Sequence, residues 1–176
     1  MSIFAIGDLH LPGGDKKPMD VFGAHWERHF ERICADWQSR VKPEDIVLIP
    51  GDISWAMQLS DALNDLREIA KLPGTILLLR GNHDYWWSSL SQLRACLPEN
   101  MHAVQNDAFD AGDCVFCGTR GWTIPLGQNA TAQDEKLYRR EALRLEMSLK
   151  DAARIANGRP IFATVSYTHL TLPTNS

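Results

Sequence analysis

The chain has 176 residues, 44% hydrophobic and 23% charged, which are ordinary globular proportions and enough length for one domain with a sizeable core. Its formal net charge is −4, from 18 Lys and Arg against 22 Asp and Glu, and no polybasic run gives it a general grip on nucleic acid or a membrane surface. No apolar stretch nears the roughly 20 residues of a membrane span, and the N-terminus enters a strand pattern with no basic n-region or cleavage site, so a cytoplasmic protein with free thiols at Cys34, Cys96, Cys114 and Cys117 is expected.

The first apolar run, residues 2–6, reads as a buried strand. A helix is predicted over 24–40, where Trp26, Phe30, Ile33, Trp37 and Val41 fall on one face. The second strand is 45–49, and a second helix over 60–71 ends at Leu72-Pro73-Gly74. A strand at 75–79, a short helix after Ser88-Ser89 and a weak strand near 101–104 follow. Cys114-Val-Phe-Cys117 reads as a core strand rather than half a zinc site: no second CxxC follows, and two sulfurs three positions apart on a strand point to opposite faces. The longest helix is predicted over 132–156, capped by Thr131, stopped by Asn157-Gly158, with Tyr138, Ala142, Leu145, Leu149 and Ala152 as its inner stripe. A last strand covers 160–163. Strands and helices alternating in this order imply right-handed crossovers and a largely parallel sheet with helices outside, an α/β fold whose ligands bind at the carboxyl ends of the strands.

Three of those strand ends carry chemistry. The first runs into Gly7-Asp8-Leu9-His10, the second into Gly51-Asp52, and the third into Arg80-Gly81-Asn82-His83-Asp84. Each apolar run stops at a glycine and then presents carboxylate, amide or imidazole. Alone, any of these is a turn with an Asx bond. Together they converge two carboxylates, an amide oxygen and two imidazoles on one sheet edge, a donor set suited to Mn²⁺, Fe or Zn²⁺ rather than Ca²⁺ or Mg²⁺. A metal would offset the cost of gathering these groups.

GDLH at 7–10, GD at 51–52 and GNHD at 81–84 resemble the first three motifs of the calcineurin-like metallophosphoesterases, over nearly all of residues 1–164. Gly118-Thr-Arg-Gly-Trp122 resembles a feature of one bacterial branch of small predicted phosphohydrolases. The resemblance implies an αββα sandwich with two divalent metals at its edge. It implies that Asp8 and His10 bind the first metal, that Asp52 bridges both, that Asn82 binds the second, and that His83 sits beside the leaving group. It further implies hydrolysis of a small phosphomonoester or diester, with a metal-bridging hydroxide attacking phosphorus and His83 protonating the departing oxygen. Asp84 either orients His83 or caps the following turn. The protein serine/threonine phosphatases extend GD to GDxxDR, whereas Trp55 and Ala56 stand at those positions here, which argues against that subfamily and against a protein substrate.

Other residues divide between function and packing. His25 and His29 have the spacing of a metalloprotease HExxH, but the second position is Trp26, which leaves an ordinary helix face. Trp86 and Trp87 offer a platform for a base or aryl ester, or packing over the short helix; Trp86 is the substrate-binding candidate. Arg120, between glycines in a predicted loop, offers a fork for phosphate, or a structural salt bridge. A non-catalytic metal-binding scaffold is the alternative function; a scaffold has no need of an acid such as His83 beside its metals. A nuclease of the same superfamily is disfavoured by the lack of a basic groove.

The end of the chain departs from the family pattern. The resemblance implies a metal-binding histidine in an HYPP-like run after the strand at 160–163, and a later GHxH. His169 is the sole candidate, and Leu-Thr-Leu-Pro follows it. Residues 165–174, VSYTHLTLPT, are instead spelled by GTC TCT TAT ACA CAT CTG ACG CTG CCG ACG, which looks like the transposase-end adapter of sequencing libraries. Residues 1–164 are therefore expected to be an incomplete metallophosphoesterase domain lacking its C-terminal strands, and 165–176 a non-native tail. The first metal would keep Asp8, His10 and Asp52, the second only Asp52 and Asn82. The parent is expected to be active, and this chain to be inactive and prone to aggregate.

Overall fold

The computed structural model describes residues 1–13, 19, 23–122, 124–125 and 131–167, without the side chains of His25 and Tyr167. Parallel strands β1 (Ile3–Ala5), β2 (Ile46–Ile49), β3 (Thr75–Leu78) and β4 (Met101–Ala103) form one sheet in that order. A second sheet holds β5 (Ala108–Asp110), β6 (Val115–Gly121) and β7 (Ile161–Tyr167), with β5–β6 antiparallel and β6–β7 parallel. Helices α1 (His29–Arg40), α2 (Leu59–Ile69) and α3 (Leu90–Cys96) flank the first sheet, and α4 (Ala132–Ala156) flanks the second.

Side-chain alternation on the strands assigns the layers. Val47, Ile49, Ile76 and Leu78 face the first three helices, packing with Trp37, Leu66, Ile69 and Leu93. Ile46, Leu48 and Leu77, on the opposite face, meet Cys114 and Phe116 of the second sheet. Val115 and Cys117 turn away from that interface onto Ala152 and Ala156 of α4. The result is the expected αββα sandwich, and the two cysteines of CVFC lie in different layers, as their spacing requires. All four cysteines are free thiols.

Several sequence expectations are corrected. Element order alone suggests one largely parallel sheet; the strands divide between two, as the family resemblance implies, because the inward faces of β2, β3 and β6 are all apolar and cover each other. The helix predicted over 24–40 is broken: a 3₁₀ turn at Ala24–Trp26 is followed by Arg28 at φ 50°, and α1 starts only at His29. That break lets the His29 ring bond the carbonyls of Leu9, at 2.9 Å, and Trp26, at 3.2 Å. The sequence reading missed β5, whose three residues Ala-Phe-Asp carry no alternation of their own and are held by the hairpin to β6.

The inner stripe of α4 is Glu141, Ser148, Ala152 and Ala156, whereas Tyr138, Ala142 and Leu149 are exposed. Polar residues turn inward because β6 offers partners. Thr119 donates to Glu141 at 3.0 Å, and the Ser148 hydroxyl takes the Gly118 amide at 2.8 Å. The capping box of Thr131 and Asp134 is present as predicted.

Arg120 lies inside β6, not in a loop. Gly118 and Gly121 are poor strand formers, and the ladder with β7 supplies what propensity lacks. That ladder also passes Thr164: Val165 pairs with Thr119 and Tyr167 with Gly121. Backbone pairing is open to any non-proline residue, so this extension is independent of the origin of those residues. His169 and the rest of 168–176 lie outside the described residues.

Candidate metal centre

The segment after β1 runs alongside the segment after β2. Asp8 N–H bonds Gly51 O at 3.2 Å, His10 N–H bonds Asp52 O at 3.0 Å, and Leu11 N–H bonds Ile53 O at 2.9 Å. Leu9, 0% exposed, is the anchor between the two candidate ligands of the first segment. Asp8, His10 and Asp52 all adopt left-handed backbone, at φ 57°, 45° and 53°. Such conformations are unfavourable for side-chain-bearing residues and persist only where the surroundings impose them. Here they turn three functional groups to one point: one potential ligand atom from each lies within 4.8 Å of the others.

The electrostatics of the cluster favour a cation. Asp8 is exposed and Asp52 is buried. The Nε2 of His10 is 3.6 Å from Asp8 Oδ1, while its Nδ1 is buried with no hydrogen-bond partner among the described residues. Trp55 stacks on the His10 ring at 4.7 Å and fixes its plane. Two carboxylates and an imidazole with an unpartnered nitrogen are the donor set of a borderline divalent metal, so the residues fit the implied ion.

The third strand end closes on the second. A β-carbon on Gly81 would collide with the amide and carboxylate of Asp52, and one on Gly51 with Gly81 and Ser166. Only glycine permits this approach. His83 donates its backbone N–H to Asp52 Oδ1 at 2.9 Å, and its ring lies 6.0 Å from that of His10 and 5.0 Å from that of Trp55. Asn82 is half-buried in the same turn.

Asp84 is 1% exposed and takes the amides of Asp52, Ile53, Ser54 and Gly81 and the indole N–H of Trp86. Burial pushes its carboxyl above the usual range, against amides that favour the charged form. Its carboxylate caps its own turn and ties the second loop to the third. A second buried acid, Asp65, also held up by burial, braces the loops by accepting the Ser54 hydroxyl at 2.5 Å and the Gly13 amide at 2.8 Å.

Trp86 is 2% exposed in the helix-side core, and Trp87 bonds Gln105 at 2.6 Å. Their faces are spent on packing; the aromatic open to solvent here is Tyr85, edge-on to His83 at 6.4 Å. Arg120 is half-buried with its guanidinium 5.0 Å over the Trp122 ring. Burial lowers its pKa, Arg80 lowers it further, and Glu141 and Asp52 oppose them. Trp55, Tyr85 and Arg80 were not picked out as site residues from the sequence. Arg80 carried a signal, since it is the last residue before GNHD at a strand's carboxyl end.

A family model described as calcineurin-like phosphoesterase matches residues 1–152. No curated protein sequence matches the chain. Among solved structures, a protein of unknown function from Aquifex aeolicus is similar at 18% identity and a TM-score of 0.47, over 94% of this chain and 90% of that one.

Proposed function

The chain belongs to the calcineurin-like phosphoesterase family, and from that premise we propose that it is the metal- and phosphate-handling part of a dinuclear phosphoesterase acting on a small phosphomonoester or diester in the cytoplasm. The observation that carries this reading is the convergence of Asp8, His10 and Asp52 within 4.8 Å at the ends of adjacent parallel strands. Asp8 and His10 would hold one divalent ion, Asn82 a second, and Asp52 would be shared; Mn²⁺ suits the donors best, with Fe or Zn²⁺ as substitutes. The metals supply Lewis-acid activation of water and neutralisation of phosphoryl charge.

The chain's own groups do the rest. The His83 amide on Asp52 fixes where the histidine stands, and its imidazolium would hand a proton to the departing ester oxygen. Asp84 keeps the loops in register from below. No described helix is long and apolar enough to cross a membrane.

We also propose that native sequence gives way to adapter read-through near Thr164. Re-amplification of the locus tests this: a genomic read continuing as VSYTHLTLPTNS and then stopping would overturn it. Hydrolysis of an aryl phosphate with added Mn²⁺, by the protein completed from its genomic sequence, tests the activity. Turnover is expected, and metal bound with no turnover at any loading would favour the scaffold.

A further inference from the structure

Two arginines beside the candidate metal centre have no hydrogen-bond or ion-pair partner among the described residues. Arg80 leaves the carboxyl end of the first sheet's third strand, directly before the glycine that touches Asp52. Arg120 leaves the carboxyl end of β6, on the same face as Phe116 by the two-residue alternation, and so looks towards the first sheet. Both are half-buried, and the Nε of each is buried with no hydrogen-bond partner among the described residues. By contrast, Arg144 pairs with Glu141 at 2.5 Å and Arg159 with Asp110 at 2.6 Å.

Arg80 and Arg120 feel each other's charge, and the two carboxylates that oppose this are already committed. Glu141 serves Thr119 and Arg144, and Asp52 belongs to the metal cluster. Two adjacent, partly desolvated cations with free donors are costly unless an anion completes them.

We propose that Arg80 and Arg120 form a two-armed clamp for a phosphate dianion, which makes this a phosphomonoester site in preference to a diester site. The proposal rests on the phosphoesterase reading and narrows its substrate. The guanidinium fork matches phosphate oxygens two at a time, and Trp122 holds the Arg120 plane for that contact. A monoester presents three acceptor oxygens and a charge of about −1.5 to −2 at neutral pH. A diester has a single charge and spends one of those oxygens on a second ester link. Beside the residues that would hold the metals, two cationic forks favour a terminal phosphate over one that carries a second ester group.

The test is calorimetric titration of the 176-residue chain in EDTA with inorganic phosphate, phenyl phosphate and diphenyl phosphate, so that binding is read without turnover. Phosphate and phenyl phosphate are expected to bind, and diphenyl phosphate at least about tenfold more weakly. Arg80→Gln and Arg120→Gln should each weaken phosphate by about 10- to 100-fold, the span of a charge-assisted hydrogen bond. Arg80→Lys, which keeps charge and stem, should lose about tenfold by breaking the fork.

Without ligand, Arg80→Gln should raise the Tm, because it removes one of two unpaired cations, and phosphate should no longer raise it further. A structural arginine would behave in the opposite way. Unchanged phosphate affinity in the variants, equal binding of the diester, or a fallen Tm with phosphate affinity kept would each overturn the clamp. Turnover by the completed enzyme with variants that bind phosphate normally would sink the clamp alone. Phosphate binding that depends on both arginines, with no turnover at any metal loading, would sink the hydrolase reading and leave the clamp standing.

Discussion

Asp52 and His83 are neighbours with separable duties. The Asp52 carboxylate lies in the candidate metal cluster and also receives the His83 amide. Asp52→Asn removes the negative charge and should abolish tight Mn²⁺ binding, a loss of at least about tenfold in affinity, of the order seen when a metal site loses even an outer partner. His83→Ala keeps the backbone amide and should leave Mn²⁺ content intact while slowing, by about 10²–10⁴-fold, only esters whose leaving group needs a proton. Metal analysis beside hydrolysis of a good and a poor leaving group separates the two; loss of metal in His83→Ala to the same degree would refute the assignment. Gly81→Ala is the complementary probe. Its methyl would strike the Asp52 amide and carboxylate, so it should lower Mn²⁺ affinity although alanine carries no charge. The GNHD motif was legible because its residue types are written in the sequence. The left-handed turns at Asp8, His10 and Asp52 were not, because the backbone contacts between the two loops impose them.

At the scale of elements, Arg159 staples the β5–β6 hairpin to the end of α4. It grips Asp110 through both Nη atoms, at 2.6 and 2.8 Å, and donates to the carbonyls of Gly112, Ile155 and Ala156. The hydrogen bonds from Arg159 hold the Asp110 carboxyl at about 2 against an ordinary 3.8. The folded value lies below the unfolded one, so this pair stabilises the fold above pH 3.8 and its contribution is lost as pH falls from there through about 2. Arg159→Ala should flatten the acid limb of the stability curve in that window and lower the Tm at neutral pH, as read by circular dichroism. The pair is solvent-exposed and water screens it, so added salt should shrink the effect. An acid limb unchanged in Arg159→Ala would refute this. The β5 strand that the pair secures was illegible in sequence for the same reason: three residues without a pattern are a strand only because a partner and a tether hold them.

For the whole molecule, the two sheets meet through a small apolar layer in which Phe116 is 1% exposed, packed among Ile46, Leu48 and Leu77 and stacked on Phe162 at 5.3 Å. Phe116→Ala should cost about 3–5 kcal/mol, measured by urea unfolding. Asp8, His10, Asp52 and Asn82 all follow strands of the first sheet, so Mn²⁺ affinity of the folded fraction should survive that change. Arg120 comes from the second sheet, so phosphate affinity should fall with it. A matching loss of Mn²⁺ affinity would show the centre to depend on both sheets.

The sequence by itself determined most of the element order, the caps of α4 and the three strand ends that carry Asp, His and Asn, since apolar period, cap chemistry and residue type are local properties. Only the tertiary structure decided the inward face of α4, the burial of Trp86, the placing of Arg120 in a strand and its meeting with Arg80. Each depends on what the opposing layer offers: a Gly118 amide for Ser148, an apolar core for Trp86, a β7 ladder for a glycine-rich run, and a sheet edge that brings together residues 40 positions apart in the chain.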